Sequence, residues 1–454
     1  MKPILLVANR GEIACRVLRA ARELSLQTVA VYSQADSELP HVGMADVAVE
    51  IGPARPSESY LNVAAVLEAA RDHGATMIHP GYGFLSENAA FARACGDAGI
   101  RFVGPTPEVI SLMGDKDRAR QAASAAGVPV LPGSGKLDPL NEAAVLAAGE
   151  KTGYPLLVKA AAGGGGIGMK SVSRSEDLVA TVATTSGMAQ KAFGDGSVYL
   201  ERYVQRARHV EIQLFGFGDG TAVHLFERDC SLQRRHQKVV EEARAPFISE
   251  AVRTRMAEAA VGLAKACSYQ GAGTVEFLYD TRTEEFFFLE MNTRIQVEHP
   301  VTEMITGVDL VAAQIRLAMG ETLQTELAQD RITARGHALE VRVYAENPAK
   351  NFLPSPGTLA EFHVPSGPHV RVDTGYREGN KVTPFYDPMV MKVIAHGADR
   401  AQAIERLQSA LADARVSGIG NNIAYLKKVL ANPAFLAGDL HTGFLGEQHL
   451  SLLA

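Results

Sequence analysis

The chain has 454 residues, enough for about three domains of ordinary size. Hydrophobic residues make up 46% and charged residues 21% of it, and 45 basic against 51 acidic residues give a net charge of −6. These values are ordinary for a globular protein and exclude a generally basic nucleic-acid coat. The four cysteines form no Cys-x-x-Cys pair, which argues against a zinc ribbon or a disulfide framework.

The sequence predicts neither a membrane-spanning helix nor a signal peptide. No apolar run approaches the ~20 residues that a membrane-spanning helix needs. The opening residues form a short apolar run without a cleavage site, so no signal peptide is indicated. We therefore expect a cytoplasmic protein that has neither a membrane nor nucleic acid as its partner.

The first part of the chain alternates short apolar runs with amphipathic stretches. Apolar runs at 4–8 and 28–32 flank an amphipathic stretch at 12–24, which is the order of a β-α-β unit in a parallel sheet. The elements that continue this pattern are helices at 61–73 and 89–98 and strands at 77–79 and 101–103. We therefore predict a doubly wound, Rossmann-like α/β domain over 1–114.

A second unit follows a stretch rich in proline and glycine at 127–135. Strands are predicted at 156–160, 170–173 and 198–201, and Ser175 is a plausible N-cap for a helix between the last two.

Four consecutive glycines at 163–166 lie between two predicted strands of this unit. Without Cβ atoms, several backbone N–H groups can point at one anion, and Lys159 adds a positive charge at the end of the preceding strand. The pattern favours a nucleotide lid, and the alternative is a flexible surface linker.

From about Tyr203 the pattern changes to strands joined by short turns, which is typical of an antiparallel sheet. The predicted strands are at 209–217, 222–227, 273–279 and 285–291, and a helix is predicted near 401–412. The fold class is therefore α/β, with an α+β C-terminal part. The predicted domains are 1–114 (Rossmann-like), 131–203 (lid), 204–334 (core) and 335–454 (C-terminal antiparallel-sheet domain).

Two carboxylates interrupt apolar strands in the third of these domains. Glu276 lies within Gly-Thr-Val-Glu-Phe-Leu, and Glu290 follows three phenylalanines and a leucine, with Asn292 two residues later. A carboxylate inside an apolar strand is costly unless a cation compensates it. These hard oxygen ligands suit Mg²⁺, and a pair of buried salt bridges is the alternative.

Polar residues occupy every even position from Glu290 to Glu298, so an extended chain would place them on one face. At ~3.3 Å per residue, the two ends of a straight strand would stand about 26 Å apart, too far for one reacting centre. Either the chain bends after Asn292 or the run serves adjacent subsites. A solvated strand face is the remaining alternative.

A charged run at 227–242 is a candidate cationic wall, within which Lys238 could act as a point charge for a small oxyanion such as bicarbonate or phosphate. Taken alone, such a run is usually a solvated face. Farther on, Met391-Lys392 superficially resembles a biotin-attachment site, but the second methionine is absent and the lysine lies in a predicted internal strand.

These motifs together resemble the biotin carboxylase family within the ATP-grasp superfamily, over nearly the whole chain. The strings that carry the resemblance are at 8–14, 79–88, 113–116, 233–239 and 290–300. The resemblance implies a Rossmann-like domain, a mobile ATP-grasp lid, a large C-terminal domain and a homodimer.

The resemblance also assigns roles to individual residues. It implies that ATP is bound by Lys116, Lys159, Gly165, Gly166, Glu201, Val204, His209, Gln233, His236, Glu276 and Glu290. It implies that Mg²⁺ (or Mn²⁺) is bound by Glu276, Glu290 and Asn292. It implies that bicarbonate is bound by Lys238, Arg294, Gln296 and the Val297 backbone. It places Tyr82, Gly83 and Arg342 at biotin, with Arg342 stabilising the enolate.

The implied reaction has two steps. Glu298 deprotonates bicarbonate, which attacks the γ-phosphorus of ATP and gives carboxyphosphate; this releases CO₂ and phosphate, and biotin is carboxylated at N1. The catalytic residues implied are Glu298, Arg294, Lys238 and Arg342. The first step needs charge neutralisation, and the labile intermediate needs exclusion of water, a role for the glycine segment.

The chain contains no biotinyl or carboxyltransferase sequence, so we expect a biotin carboxyl carrier protein and carboxyltransferase subunits as separate partners. Ile167 stands where many members carry Arg or Lys, and the glycine string looks more like urea carboxylases, whereas His236 matches acyl-CoA carboxylases. The final acceptor therefore stays open. Two other functions are the alternatives: another carboxylating or carbamoyl-forming ATP-grasp ligase, and a silent nucleotide-binding regulatory subunit.

Overall fold

The computed structural model describes residues 3–160, 169–193, 195–234 and 237–453. The chain forms two compact units. The first comprises 1–128, 209–277 and 290–454, and the second comprises 129–208 and 278–289. The predicted division into four domains stays a prediction.

The strands are β1 (Ile4–Val7), β2 (Gln27–Tyr32), β3 (Val47–Glu50), β4 (Met77–His79), β5 (Arg101–Phe102), β6 (Leu156–Ala160), β7 (Met169–Val172), β8 (Val198–Arg202), β9 (Arg208–Phe217), β10 (Ala222–Arg234), β11 (Gln237–Ala243), β12 (Gln270–Asp280), β13 (Glu285–Asn292), β14 (His337–Tyr344), β15 (Glu346–Asn347), β16 (Leu353–Pro354), β17 (Gly357–Thr358), β18 (Glu361–His363), β19 (Val370–Thr374), β20 (Lys381–Val382), β21 (Met389–Gly397) and β22 (Arg415–Ser417). The α-helices are α1 (Gly11–Glu23), α2 (Pro40–Met44), α3 (Val63–Asp72), α4 (Ala89–Asp97), α5 (Pro107–Gly114), α6 (Lys116–Ala125), α7 (Glu142–Thr152), α8 (Leu178–Phe193), α9 (Glu250–Ala266), α10 (His299–Thr306), α11 (Leu310–Ala318), α12 (Arg400–Asp413), α13 (Ile423–Ala431), α14 (Pro433–Leu436), α15 (Phe444–Glu447) and α16 (His449–Leu453).

The N-terminal sheet is parallel, as the alternation of strands and helices predicts. Its order is β3-β2-β1-β4-β5. Successive residues of β1 pack on opposite faces: Leu5 joins Ile13 of α1 in one apolar cluster, and Leu6 joins Val66 of α3 in another. Because both faces are covered, β1 is apolar throughout, and each fully buried Leu contributes roughly 1.5–3 kcal/mol.

A second, eight-stranded sheet has the order β13-β12-β9-β10-β11-β14-β21-β19. The pairs β9–β10, β10–β11, β11–β14, β14–β21 and β19–β21 are antiparallel. Strands from the predicted core domain and from the predicted C-terminal domain therefore share one sheet. A mixed fold with a parallel N-terminal sheet and antiparallel sheets beyond it agrees with the predicted fold class.

The second unit contains the three-stranded antiparallel sheet β7-β6-β8. Its apolar core includes Val145 of α7, Leu156 of β6 and Leu178 of α8. The predicted N-cap at Ser175 is wrong: this residue opens a short 3₁₀ turn whose N-cap is Arg174, and α8 begins only at Leu178. The glycine run lies outside the described residues.

The lysine of the sequence resembling a biotin-attachment site is inaccessible. Lys392 lies in β21, between β14 and β19, and its exposed fraction is 0%. The prediction of an internal strand is confirmed, and a carrier-type attachment there is excluded by burial. Within the part of the chain that the structure describes, we find no helix with the length and apolar character that crossing a membrane requires.

Gly375 packs directly on the start of α1. A methyl group there would stand 2.2 Å from the carbonyl carbon of Gly11 and 2.4 Å from the backbone nitrogen of Glu12. Because both neighbours are backbone atoms, we expect Gly375→Ala to lower the free energy of unfolding by about 1–3 kcal/mol, measured by urea denaturation. Gly96→Ala in α4, where a methyl group meets nothing within 4 Å, is the control and should not destabilise the chain.

Candidate active site

Charged side chains in the eight-stranded sheet face one another across neighbouring strands. The register pairs Arg228 of β10 with Glu211 of β9, and Arg228 Nε lies 2.6 Å from Glu211 Oε1. Farther along the sheet, Glu241 of β11 is paired with Glu340 of β14. Opposed residues of antiparallel strands share a face, and buried charges are costly unless they compensate one another. Each buried charge on these strands therefore needs an opposite charge or a hydrogen-bond partner within the sheet.

Lys238 of β11 is the centre of this cluster. Its Nζ atom lies 2.6 Å from Glu211 Oε2, 2.9 Å from Glu276 Oε1 and 2.6 Å from Glu298 Oε1. Burial alone would lower the pKa of Lys238, but the surrounding acidic groups outweigh it and raise the pKa well above its ordinary value. The ammonium is therefore permanently charged and is shared by three carboxylates.

The chain bends after Asn292, as one of the two sequence interpretations required. β13 ends at this residue, and the following segment returns toward β12 so that Gln296 Nε2 donates to Glu276 Oε1 at 2.9 Å. Gln296 Oε1 accepts from Arg228 Nη2 at 2.5 Å. The bend brings Glu298 onto the ammonium of Lys238, so the polar residues of the run converge.

Glu298 is held between two cations. Its Oε1 contacts Lys238, and its Oε2 lies 3.0 Å from Arg342 Nη2. Arg342 also lies 2.6 Å from Glu241 Oε1. Burial raises the pKa of Glu298, but Lys238 and Arg342 dominate and hold it at about 2. The carboxylate is therefore ionised at neutral pH.

The residues predicted to bind a metal ion offer a suitable donor set. Glu276 Oε1 accepts from Asn292 Nδ2 at 2.9 Å, and Glu276 Oε2 lies 2.8 Å from His209 Nε2. Desolvation and the negative charge of Glu276 both raise the pKa of Glu290, so the two carboxylates repel each other. A divalent cation relieves such repulsion, and carboxylate and amide oxygens are the ligands that Mg²⁺ prefers. The residues present fit the ion.

Arg294 lies at the edge of the cluster. Its Nε atom is 2.8 Å from Glu87 Oε2, and its Nη2 atom is 2.9 Å from Asn292 Oδ1. These contacts hold the planar guanidinium beside Asn292, one of the predicted metal ligands. A guanidinium in this position can donate two parallel N–H groups to an anion.

Two of the residues predicted to lie at biotin, Tyr82 and Gly83, follow β4, whereas the third, Arg342, lies in β14. The Tyr82 hydroxyl donates to Glu12 of α1. Gly83 has a φ of +68°, a backbone conformation that residues with side chains rarely adopt, so glycine is favoured there.

Lys116, which is predicted to bind the nucleotide, is the first residue of α6, whose N-cap is Asp115.

The remaining nucleotide residues of the prediction are distributed as follows. Gln233 Nε2 contacts His209 Nδ1 in the first unit. In the second unit, Lys159 of β6 forms an ion pair with Glu201 of β8, and Val204 is buried with Leu131. The predicted residues Gly165, Gly166 and His236, together with Ile167, lie outside the described residues.

Sequence reasoning missed Glu211, Arg228 and Glu241, all fully buried in the ionic cluster. A signal for Glu211 was present, because polar residues alternate with apolar ones from His209 to Gln213, the pattern that singled out the run after Glu290. Arg228 and Glu241 lie inside the charged run at 227–242, where composition alone does not distinguish buried from solvated charges.

Three family models match successive parts of the chain. "Biotin carboxylase, N-terminal domain" matches residues 1–110, "Carbamoyl-phosphate synthase L chain, ATP binding domain" matches 115–326, and "Biotin carboxylase C-terminal domain" matches 340–447. Biotin carboxylase 2 of Bacillus subtilis is 50% identical over 446 residues, which cover 98% of this chain and 99% of the relative. The chain belongs to the biotin carboxylase family. It is an ATP-dependent ligase that carboxylates biotin.

Parts of larger carboxylases also match nearly the whole of this chain. The mitochondrial methylcrotonoyl-CoA carboxylase subunit alpha of Glycine max is 49% identical; the match covers 97% of this chain and 60% of that subunit. The biotin carboxylase domain of the Hydrogenobacter thermophilus 2-oxoglutarate carboxylase, a dimer in complex with MgADP, ADP and bicarbonate, superposes with a TM-score of 0.89 at 44% identity. The match covers 100% of this chain and 99% of that domain. Biotin carboxylase relatives thus occur both alone and within larger carboxylase subunits.

Proposed function

We propose that this biotin carboxylase acts on biotin carried by a biotin carboxyl carrier protein, through carboxyphosphate, as the first half-reaction of a biotin-dependent carboxylase. The observation that carries this proposal is the position of Lys238. One ammonium contacts Glu298, the proposed base, and Glu276, a proposed metal ligand. A small anion bound to the Lys238 ammonium would therefore lie next to both the proposed base and the phosphates of the proposed metal–nucleotide complex.

The ionic cluster is proposed to bind and activate bicarbonate. Lys238, Arg294 and Gln296 supply N–H donors, and the Val297 backbone completes the site. Glu298, ionised in this environment, removes the bicarbonate proton. The bicarbonate oxygen then forms a bond to the γ-phosphorus of ATP as the bond to ADP breaks. The cations offset the negative charge that accumulates in this step.

The nucleotide is proposed to bind through the residues that the family assigns to it. These residues are Lys116, Lys159, Gly165, Gly166, Glu201, Val204, His209, Gln233 and His236. Glu276, Glu290 and Asn292 would hold Mg²⁺, which when bound supplies positive charge that polarises the phosphoryl oxygens.

The second step is proposed to take place beside Arg342. Carboxyphosphate breaks into CO₂ and phosphate, the phosphate takes the ureido proton of biotin, and N1 forms the new bond to carbon. Arg342 carries a permanent charge, because neighbouring acidic groups raise its pKa well above its ordinary value despite burial. That charge would stabilise the enolate oxygen of biotin, with Tyr82 and Gly83 close to the ring.

The partners are proposed from the family. The proposed partners are a biotin carboxyl carrier protein, carboxyltransferase subunits and a second copy of this chain. The cytoplasmic location stays a prediction.

The proposed function is tested by the hydrolysis of ATP by the purified chain with Mg²⁺ and bicarbonate, with and without free biotin. We expect hydrolysis that depends on bicarbonate and increases with biotin. The assay is repeated with a biotinylated carrier domain, which should be carboxylated when the bicarbonate is radiolabelled. Hydrolysis that ignores bicarbonate, together with an unlabelled carrier, would overturn the proposal.

A further inference from the structure

Lys392 is a buried cation that the proposed mechanism leaves without a role. Its exposed fraction is 0%. Its Nζ atom lies 2.6 Å from the carbonyl oxygen of Val297 and 3.2 Å from Glu12 Oε1. Desolvating an ammonium is expensive, so a lysine kept here must make contacts that a neutral side chain cannot.

The carbonyl that Lys392 binds belongs to the peptide between Val297 and Glu298. This peptide links the backbone proposed to meet bicarbonate to the proposed base. Orienting the carbonyl fixes the plane of the peptide, and with it the positions of the nitrogen and Cα of Glu298.

The preceding carbonyl of this turn, that of Gln296, is also hydrogen-bonded by a buried side chain. His299 Nδ1 lies 2.6 Å from the carbonyl oxygen of Gln296. Burial and the nearby cations lower the pKa of His299 well below its ordinary value, so the ring is neutral and Nδ1–H can donate. Two successive carbonyls at 296–297 are therefore bound by fully buried side chains, an arrangement that fixes the turn.

Glu12 contacts both Lys392 and Tyr82, and so links the lysine to the segment proposed to lie at biotin. It accepts the Tyr82 hydroxyl and pairs with Lys392 through the same oxygen. Asp373 of β19 is 3.8 Å from Lys392 Nζ but has closer cations in Arg371 and Arg19. Of these two carboxylates, Glu12 is therefore the nearer to Lys392, and Asp373 keeps other cations.

We propose that Lys392 is a positioning residue for the reaction: held by Glu12, its ammonium fixes the Val297–Glu298 peptide so that the bicarbonate site and the base keep their relative geometry. This inference rests on the proposed function. Lys392 acts through the turn at 296–298 and does not touch the substrates.

The test is Lys392→Met, which keeps the length of the side chain and removes the donor. We expect the KM for bicarbonate to rise at least fivefold, while the KM for ATP changes less than twofold. A merely structural loss would reduce the amount of active enzyme, and so the apparent kcat, without changing the KM for bicarbonate. A rise of less than fivefold in folded protein would overturn the proposal.

A second variant separates positioning from stability. Glu12→Gln combined with Lys392→Met leaves no new unpaired charge, and the amide introduced in place of the Glu12 carboxylate can still accept the Tyr82 hydroxyl. We expect the double variant to recover thermal stability but to keep the raised KM for bicarbonate. If the single variant does not fold, the double variant decides the question by the same fivefold criterion.

Arg371→Met is the matched control. Arg371 lies 2.7 Å from Asp373, the carboxylate that also neighbours Lys392, and it forms a second ion pair with Glu303. It should lower stability and leave the KM for bicarbonate unchanged; a rise equal to that of Lys392→Met would overturn the specific role of Lys392. The wild-type chain is assayed in parallel: if its hydrolysis ignores bicarbonate, the proposed function fails, whereas a normal wild type with unchanged variants refutes only the role of Lys392.

Discussion

Glu298→Gln is expected to reduce bicarbonate-dependent ATP hydrolysis by at least about 100-fold, the usual contribution of a general base. The amide keeps the shape of the side chain but cannot accept the bicarbonate proton. The variant should remain folded, because Lys238 keeps Glu211 and Glu276 as partners and Arg342 keeps Glu241. The initial rate of phosphate release with bicarbonate and free biotin is the measurement.

Glu303→Gln is the matched control for this prediction. Glu303 is also buried and ion-paired, but with Arg16 and Arg371, away from the cluster around Lys238. Its substitution should leave most of the activity while lowering thermal stability. If Glu298→Gln keeps more than a tenth of the wild-type rate with normal nucleotide binding, Glu298 is not the base.

Lys238→Met is expected to have the largest effect on stability. The substitution leaves Glu211, Glu276 and Glu298 without their shared ammonium, and the side chains of these three residues are at most 5% exposed. Removing one partner of a buried ion pair typically costs about 3–5 kcal/mol, since the remaining charge stays desolvated. Arg228 and Arg342 offset only part of this cost, because each is already committed to other groups.

The free energy of unfolding from urea denaturation tests this expectation, together with bicarbonate-dependent hydrolysis, which should be lost. Lys265→Met replaces an exposed lysine of α9 and should change stability by no more than about 0.5 kcal/mol. A Lys238→Met chain as stable as the wild type would show that the three carboxylates find other compensation, and the electrostatic account of the site would then be wrong.

Much of the fold could be predicted because periodicity is a local property. The apolar run at 4–8 and the amphipathic stretch at 12–24 correspond to β1 and α1. The start of α8 could not be predicted from Ser175, since a 3₁₀ turn intervenes before the helix. A capping residue signals a helix start only where the backbone adopts the capping geometry.

The candidate site was predicted in part for the same reason. Glu276 and Glu290 stood out because carboxylates inside apolar strands violate the local pattern. Glu211 was missed, although its strand carries a similar alternation. Its importance depends on Lys238 reaching it from β11, two strands away in the sheet.

The sequence by itself determined the family, the reaction and the chemical types of the site residues, because long strings of specific residues carry them. Only the tertiary structure decided that the chain bends after Asn292, that β14, β19 and β21 join the same sheet as β9–β13, and that Lys392 binds the carbonyl of Val297. These features depend on contacts between residues far apart in the chain, such as Val240 with Val341 and Val297 with Lys392. Contacts at that separation arise from the packing of whole elements, which local periodicity and motif spacing do not encode.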